Sequence, residues 1–310
     1  MILRMNFGKC LFILFVTIIY FVLLGLAELF SLAEENEAVT LPQFSAMPVL
    51  SRLNVAHRGA SFLAPENTLM AYRIAISAGA DGAECDVYKT ADNILVLSHD
   101  KSTNRTANGK KHDITKTTFD ELRKLDVGIW KGKQFKNEKI PTLDEYLELL
   151  KETKCSPVVE IKMNQIEKEV IETIRKQDMI SVTIIIAFSE QVVKNVRRLE
   201  PNICVAWLYS ENLKNKGGAE NNADRLAEFL LKKSAELNAN ILDLNHEILS
   251  QKLVTKLKNS GIHVWCWTVN DVERMKILLD WGVESITTDR PELLNELLKK
   301  YKPIHTIDID

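Results

Sequence analysis

Residues 55–100 read VAHRGASFLAPENTLMAYRIAISAGADGAECDVYKTADNILVLSHD. The order is strand, helix, strand. Leu53-Asn54-Val55-Ala56 is a short strand stopped by His57-Arg58-Gly59. Pro65-Glu66-Asn67-Thr68 then opens a helix, since Pro suits its first turn and an acid suits its N-terminal dipole. Leu69, Tyr72, Ile76 and the alanines keep helical spacing to Ala78, and Gly79 ends it. Gly82 to Val87 is the next strand, which puts Glu84 and Asp86 on one face and Cys85 and Val87 on the other. Ile94 to Leu97 is a further strand, followed by His99-Asp100.

The same alternation continues outward. Eight strand candidates lie at 53–56, 82–87, 157–161, 182–188, 203–208, 241–244, 263–268 and 285–288. Helical patterns separate them at 143–151, 166–177, 191–199, 223–237, 250–259, 271–281 and 291–300. Eight such units over about 250 residues are what a TIM (β/α)8 barrel requires. The competing α/β architecture is an open doubly wound sheet, but no Gly-rich phosphate loop follows the first strand. Residues 101–140 break the alternation and read as an insertion after the second strand, a length that usually signals function.

The N-terminus lies outside this pattern. Cys10 to Ala27 is uncharged and almost wholly apolar, long enough to span a bilayer as a hydrophobic helix. Ser31-Leu32-Ala33 offers small residues to a signal peptidase, so residues 1–33 are a membrane anchor or a signal peptide. Arg4 and Lys9 precede the apolar run and Glu28, Glu34, Glu35 and Glu37 follow it, which predicts an exported domain. That domain is then either membrane-anchored outside the cytoplasm or, after cleavage, periplasmic or secreted. Residues 34–51, with Pro42 and Pro48, read as a tether, 52–301 as the barrel and 302–310 as a tail.

Composition narrows the function. With 46% hydrophobic and 26% charged residues, the chain is that of a globular protein. A net charge of −2 lacks the basic face that nucleic acid requires. The five cysteines have no zinc-type spacing and read as buried thiols. Nothing in the sequence sets an oligomeric state.

The chemistry is carried by acids and imidazoles at strand ends. Glu84 and Asp86, side by side on one buried strand face, repel unless a cation lies between them. Glu160 and Lys162 share a face of a later strand. They are either an ion pair or, beside Glu84 and Asp86, a third metal carboxylate and an anion-binding cation. Three carboxylates without thiolate or imidazole favour one divalent cation, Ca2+ or Mg2+. His57 and His99 suit proton transfer near neutral pH. His246 and His263 have no partner motif and read as structural, and Asp289 reads as a helix cap.

HRG at 57–59, PENT at 65–68, GADGAECDV at 79–87 and HD at 99–100 together resemble the glycerophosphodiester phosphodiesterase family. The resemblance extends to Arg105-Thr106, to LDVG at 125–128, IPTL at 140–143, EIK at 160–162 and WTVN at 267–270. It implies a TIM barrel whose insertion covers the site. It implies metal ligands Glu84, Asp86 and Glu160, catalytic His57 and His99, and substrate contacts from Arg58, Lys162 and Trp267. The activity implied is metal-dependent hydrolysis of a small glycerophosphodiester to sn-glycerol 3-phosphate and an alcohol. The substrate's own glycerol 2-hydroxyl would attack, giving a cyclic phosphate that water opens. Phospholipase D-like enzymes of the sphingomyelinase D or lysophospholipase D type are similar in their histidines, acids and late Trp, and act on membrane lipids. A non-catalytic phosphate-binding barrel is the remaining alternative, and it is disfavoured because every element is present.

Overall fold

The computed structural model describes residues 53–211 and 218–301. Eight parallel strands close into a barrel in the order β1(Leu53–Ala56), β2(Gly82–Lys89), β4(Ser156–Ile161), β5(Ile184–Ala187), β6(Cys204–Tyr209), β7(Ile241–Asn245), β8(His263–Trp267) and β9(Ser285–Thr288). Pairing of β9 with β1 and of β1 with β2 completes the ring. Helices α1(Leu69–Ser77), α3(Leu143–Lys151), α4(Glu167–Lys176), α5(Glu190–Leu199), α6(Gly218–Leu237), α7(Gln251–Asn259), α8(Val272–Asp280) and α9(Pro291–Lys300) follow the strands. This is the TIM barrel expected from the alternation, with most strand limits within two residues. The leader, the tether and the tail lie outside the described residues. Among the described residues no helix is long and apolar enough to cross a membrane.

The strands alternate between two apolar environments, which is why they read as nearly unbroken hydrophobic runs. Val55, Val158, Ile184, Ile186, Ala206, Leu208, Ile241 and Trp265 fill the barrel interior. Their neighbours, such as Cys85, Val159, Ile185 and Val264, face the helices in a second, larger cluster. Helix starts are set by side-chain caps: Thr68 accepts from Ala71 N, Thr142 from Glu145 N and Ser250 from Leu253 N. Cys85, Cys155 and Cys266 are buried free thiols, as expected, whereas the free thiol Cys204 is only half-buried.

The interior alternation positions the acids. On β4 the inward residues are Val158 and then Glu160, one rung nearer the C-terminal end. In register, Glu84 lies opposite Val158 and Asp86 opposite Glu160. The two strands therefore exchange apolar filling for carboxylates just where the barrel opens.

The further strand expected at 94–97 is present ahead of the insertion. The chain reverses direction after β2. It turns back as β3(Leu95–Leu97), antiparallel to β2, with Val87 opposite Leu97. Beyond β3, the 3₁₀ turn Ile114–Lys116, helix α2(Phe119–Arg123) and the 3₁₀ turn Lys133–Phe135 follow. This segment has its own small core of Val96, Ala107, Ile114, Leu122, Leu125, Val127 and Ile140.

Candidate active site

The turn after β1 is the first component. Arg58 and Gly59 both have positive φ, 55° and 79°. A Cβ at Gly59 would come within 2.7 Å of Ala71, so glycine is required there. Arg58 holds a left-handed conformation that non-glycine residues seldom adopt. The result is that its backbone N–H donates to Glu84 Oε2 at 2.7 Å. Its guanidinium reaches Glu66 at 3.0 Å and lies 3.4 Å from Asp86.

Glu84, Asp86 and Glu160 are buried, and one oxygen of each lies within 4.8 Å of the others. Among the described residues no other three His, Cys, Asp or Glu side chains converge this way. Glu84 Oε1 and Asp86 Oδ1 make no hydrogen bond. Burial, followed by the charges of Asp86 and Glu160, pushes the Glu84 carboxyl well above the usual range. Burial and Asp86 likewise push Glu160 up to about 7, against the pull of Lys162. Burial works against ionised Asp86 too, but Lys162, Arg58, His99 and the Asn67 amide outweigh it and hold this carboxyl low. Lys162 Nζ stands 2.8 Å from Glu160 and 3.3 Å from Asp86. Lys162 and an Arg58 guanidinium shared with Glu66 are the cations that face three buried acids, which leaves the cluster short of positive charge. Orphaned buried oxygens and an all-carboxylate donor set fit a hard divalent cation.

Each histidine is held by a carboxylate. His57 Nδ1 lies 2.6 Å from Asp289 Oδ1. Asp289 also accepts from Ser61 Oγ at 2.8 Å and Asn270 Nδ2 at 2.6 Å. Burial opposes its charge, but the bonds from His57, Asn270 and Ser61 prevail and hold the carboxyl well below its usual range. His99 Nδ1 lies 2.8 Å from Asp100 Oδ1, and Arg105 Nε donates to Asp100 Oδ2 at 2.8 Å. Burial lowers the His99 pKa, helped by Arg58 and Lys162 and opposed by Asp86 and Asp100. Glu66 links the halves by accepting from both Arg58 and Arg105. Tautomers are fixed by such carboxylate contacts, which leave each Nε2 free to face a substrate.

Beneath the acids a neutral network sets geometry. Asn67, at φ 55°, donates to Asp86 Oδ2 at 2.8 Å and accepts from Asp86 N and from Tyr72 Oη. Tyr72 packs edge-on to Tyr146 with ring centroids 4.7 Å apart. Trp267 stands at the mouth, half-buried, with Nε1 donating to the Asp243 carbonyl and its ring 5.4 Å from Phe188 in a T-shape. Trp265 is fully interior.

The structure thus brings together His57, His99, Arg58, Glu84, Asp86, Glu160 and Lys162 on one face, with Trp267 at the rim. Two expectations change. Asp289 is not a helix cap: Arg290 precedes α9, and Asp289 turns inward to His57. His99 follows the end of β3 as expected, and the antiparallel run of β3 returns it to the mouth. Glu66 and Asn67 do not start α1, which begins at Leu69; they are tied into the site instead. His263, at the opposite end of the barrel, is paired with Glu284 at 2.7 Å, as a structural histidine would be.

Asp289→Asn is expected to lower kcat by about tenfold or more, on the order of the cost of a misplaced catalytic group. The midpoint of thermal unfolding at pH 7 should fall as well, since a carboxyl held low on folding stabilises the fold above its unfolded pKa. That stabilisation is lost as pH falls through its folded pKa, so wild type and variant should converge in acid. A variant with unchanged turnover would separate Asp289 from the reaction.

Known proteins place the chain. The model of the glycerophosphoryl diester phosphodiesterase family matches residues 57–293. A glycerophosphodiester phosphodiesterase of Caldanaerobacter subterraneus subsp. tengcongensis is 33% identical over 256 residues, covering 81% of this chain and 99% of that one. One from Bacillus subtilis is 31% identical over 271 residues, covering 80% and 87%. An Oleispira antarctica phosphodiesterase, solved with the product sn-glycerol-3-phosphate, superposes with a TM-score of 0.69. It is 26% identical, covering 79% of this chain and 96% of that one. With the family's model running from His57 to the first turn of the last helix, this chain belongs to the glycerophosphoryl diester phosphodiesterase family.

Proposed function

We propose that the protein hydrolyses small glycerophosphodiesters to sn-glycerol 3-phosphate and an alcohol, with Glu84, Asp86 and Glu160 holding one Ca2+ or Mg2+. Family membership makes it a glycerophosphodiester phosphodiesterase. The observation that carries the finer reading is the convergence of three buried carboxylates with two carboxylate-held imidazoles at one barrel mouth. The product class follows the Oleispira antarctica relative, which holds sn-glycerol-3-phosphate.

The bound cation would neutralise phosphate oxygens and the charge that builds on them in the transition state. Arg58 and Lys162, with side chains 17% and 14% exposed, would present cations to the same anion. One imidazole takes the proton of the attacking hydroxyl and the other gives a proton to the leaving alcohol. Asp289 and Asp100 steady the imidazolium that forms on each. Trp267 walls the pocket and keeps water from its apolar side. Turnover of glycerophosphocholine and glycerophosphoethanolamine well above that of sphingomyelin is expected. Preference for sphingomyelin would favour the phospholipase D-like reading.

The acid cluster makes stability depend on both pH and cation. A carboxyl whose pKa is raised on folding is protonated in the fold while ionised in the unfolded chain. Between the unfolded value near 4.5 and the folded value of Glu160, about 7, the folded state binds more protons. Stability therefore falls as pH rises through that window. In chelator, the thermal midpoint should drop from pH 5 to pH 7.5, and added Ca2+ or Mg2+ should remove most of the drop. Equal slopes with and without cation would remove the metal from this cluster.

Export is proposed from the charge asymmetry about the apolar run, with Arg4 and Lys9 on one side and Glu28 to Glu37 on the other. A reporter active only outside the cytoplasm, fused after Asp310, should be active. Activity of a cytoplasm-only reporter there would reverse the assignment.

A further inference from the structure

The face beside the mouth carries an unusual surface. Phe62 is 53% exposed, Leu63 40%, Ile129 36% and Trp130 36%. They come from two segments, the loop after β1 and the insertion. Lys131 joins them: its Nζ donates to the Ser61 carbonyl at 2.7 Å and lies 6.0 Å from the Phe62 ring and 5.6 Å from the Trp130 ring. Arg290 stacks on Phe62 as well, 4.1 Å from the ring centre. Phe62 N donates to the Asp289 carbonyl, and Ser61 Oγ to the Asp289 carboxylate that holds His57. The patch is therefore rigidly tied to the site while remaining outside it.

We propose that this rim docks on an anionic lipid bilayer, so that the site takes glycerophosphodiester headgroups of single-chain lipids from the membrane surface as well as soluble diesters. The inference rests on the phosphodiesterase reading above. Aromatic side chains interleaved with Lys and Arg are the composition of a membrane interface, where apolar bodies enter the acyl boundary and cations stay among phosphates. Lys131 carries the sign that an anionic leaflet attracts, while Arg290 shares its charge with Glu292 at 3.1 Å. The sequence supplies a second argument for this occupant. An uncharged apolar run ends at Ala27, and residues 28–52 separate it from β1. A bilayer held at that distance by a tether needs a second contact to orient the barrel mouth.

The test uses full-length protein reconstituted in phosphatidylcholine–phosphatidylglycerol vesicles whose acyl chains are brominated near the glycerol end. Bromine should quench a share of the tryptophan fluorescence, and Trp130→Phe should abolish that share. The rim share should weaken when phosphatidylglycerol is left out. The Phe62→Ser/Trp130→Ser double variant should lower kcat/KM for lysophosphatidylcholine in vesicles about tenfold, the cost of exposing part of two aromatic side chains. Its turnover of soluble glycerophosphocholine should stay near that of wild type. Quenching unaffected by Trp130→Phe, equal losses on both substrates, or a Trp130-dependent dimer in place of quenching would each overturn the docking surface. Failure of wild type to cleave glycerophosphocholine would sink the reading of function, while the quenching result would still report on the rim.

Discussion

Replacing either His57 or His99 by alanine is expected to lower kcat by about 10²-fold or more, the scale of losing positioned acid–base catalysis. The thermal midpoint should move little in both cases. His57 is 20% exposed at its side chain and His99 34%. The carboxylate that each leaves behind keeps other donors: Asp289 keeps Ser61 and Asn270, and Asp100 keeps Arg105. The double variant should be scarcely worse than the worse single one, because groups acting as a unit are not additive. A glycerophosphodiester with an activated leaving group needs no general acid. It should rescue one single variant and leave the other slow, which assigns acid and base. Near wild-type turnover by both single variants on every diester would end the two-histidine mechanism.

Chelation is expected to remove activity by about 10³-fold or more, since a cation at a phosphoryl centre contributes several kcal/mol to transition-state stabilisation. Ca2+ or Mg2+ should restore it. Glu160→Gln should weaken cation binding and turnover together while the barrel stays folded. The variant deletes one charge from a cluster whose remaining acids, Glu84 and Asp86, still face Arg58 and Lys162. Calorimetric titration of Ca2+ into the chelated wild type and into Glu160→Gln reads this without any assay of turnover. Full activity in excess chelator would take the metal out of the mechanism.

Much of this architecture was legible because its physics is local. Strand and helix periods alternate cleanly, so eight βα units can be counted without knowing any contact. The acids were legible for the same reason: i, i+2 spacing on a strand fixes the face, and small or apolar neighbours imply burial. What stayed hidden depended on distant pairing. His57 and Asp289 are 232 positions apart, and the local sequence around Asp289, followed by Pro291, carries the ordinary signature of a helix start. The reversal at β3 was readable in principle. Asp92-Asn93 lies between two apolar runs, Asn93 has φ 66°, and Thr90 N donates to the Ile94 carbonyl. That pattern is a hairpin signal and points to an antiparallel return, a direction that the strand period at 94–97 leaves open. Glu66 and Asn67 were read by propensity as helix start. Their partners, Arg58, Arg105 and the buried Asp86, decide otherwise, and tertiary hydrogen bonds override a weak local preference.

The central claim is that this barrel mouth cleaves a glycerophosphodiester between phosphorus and the alcohol. Phosphorus NMR of glycerophosphocholine incubated with the Ca2+- or Mg2+-loaded protein tests it most directly. The account predicts that the diester resonance is replaced by that of sn-glycerol 3-phosphate, with free choline in equal amount. A phosphocholine resonance with free glycerol, or an unchanged diester with the cation bound, would contradict it.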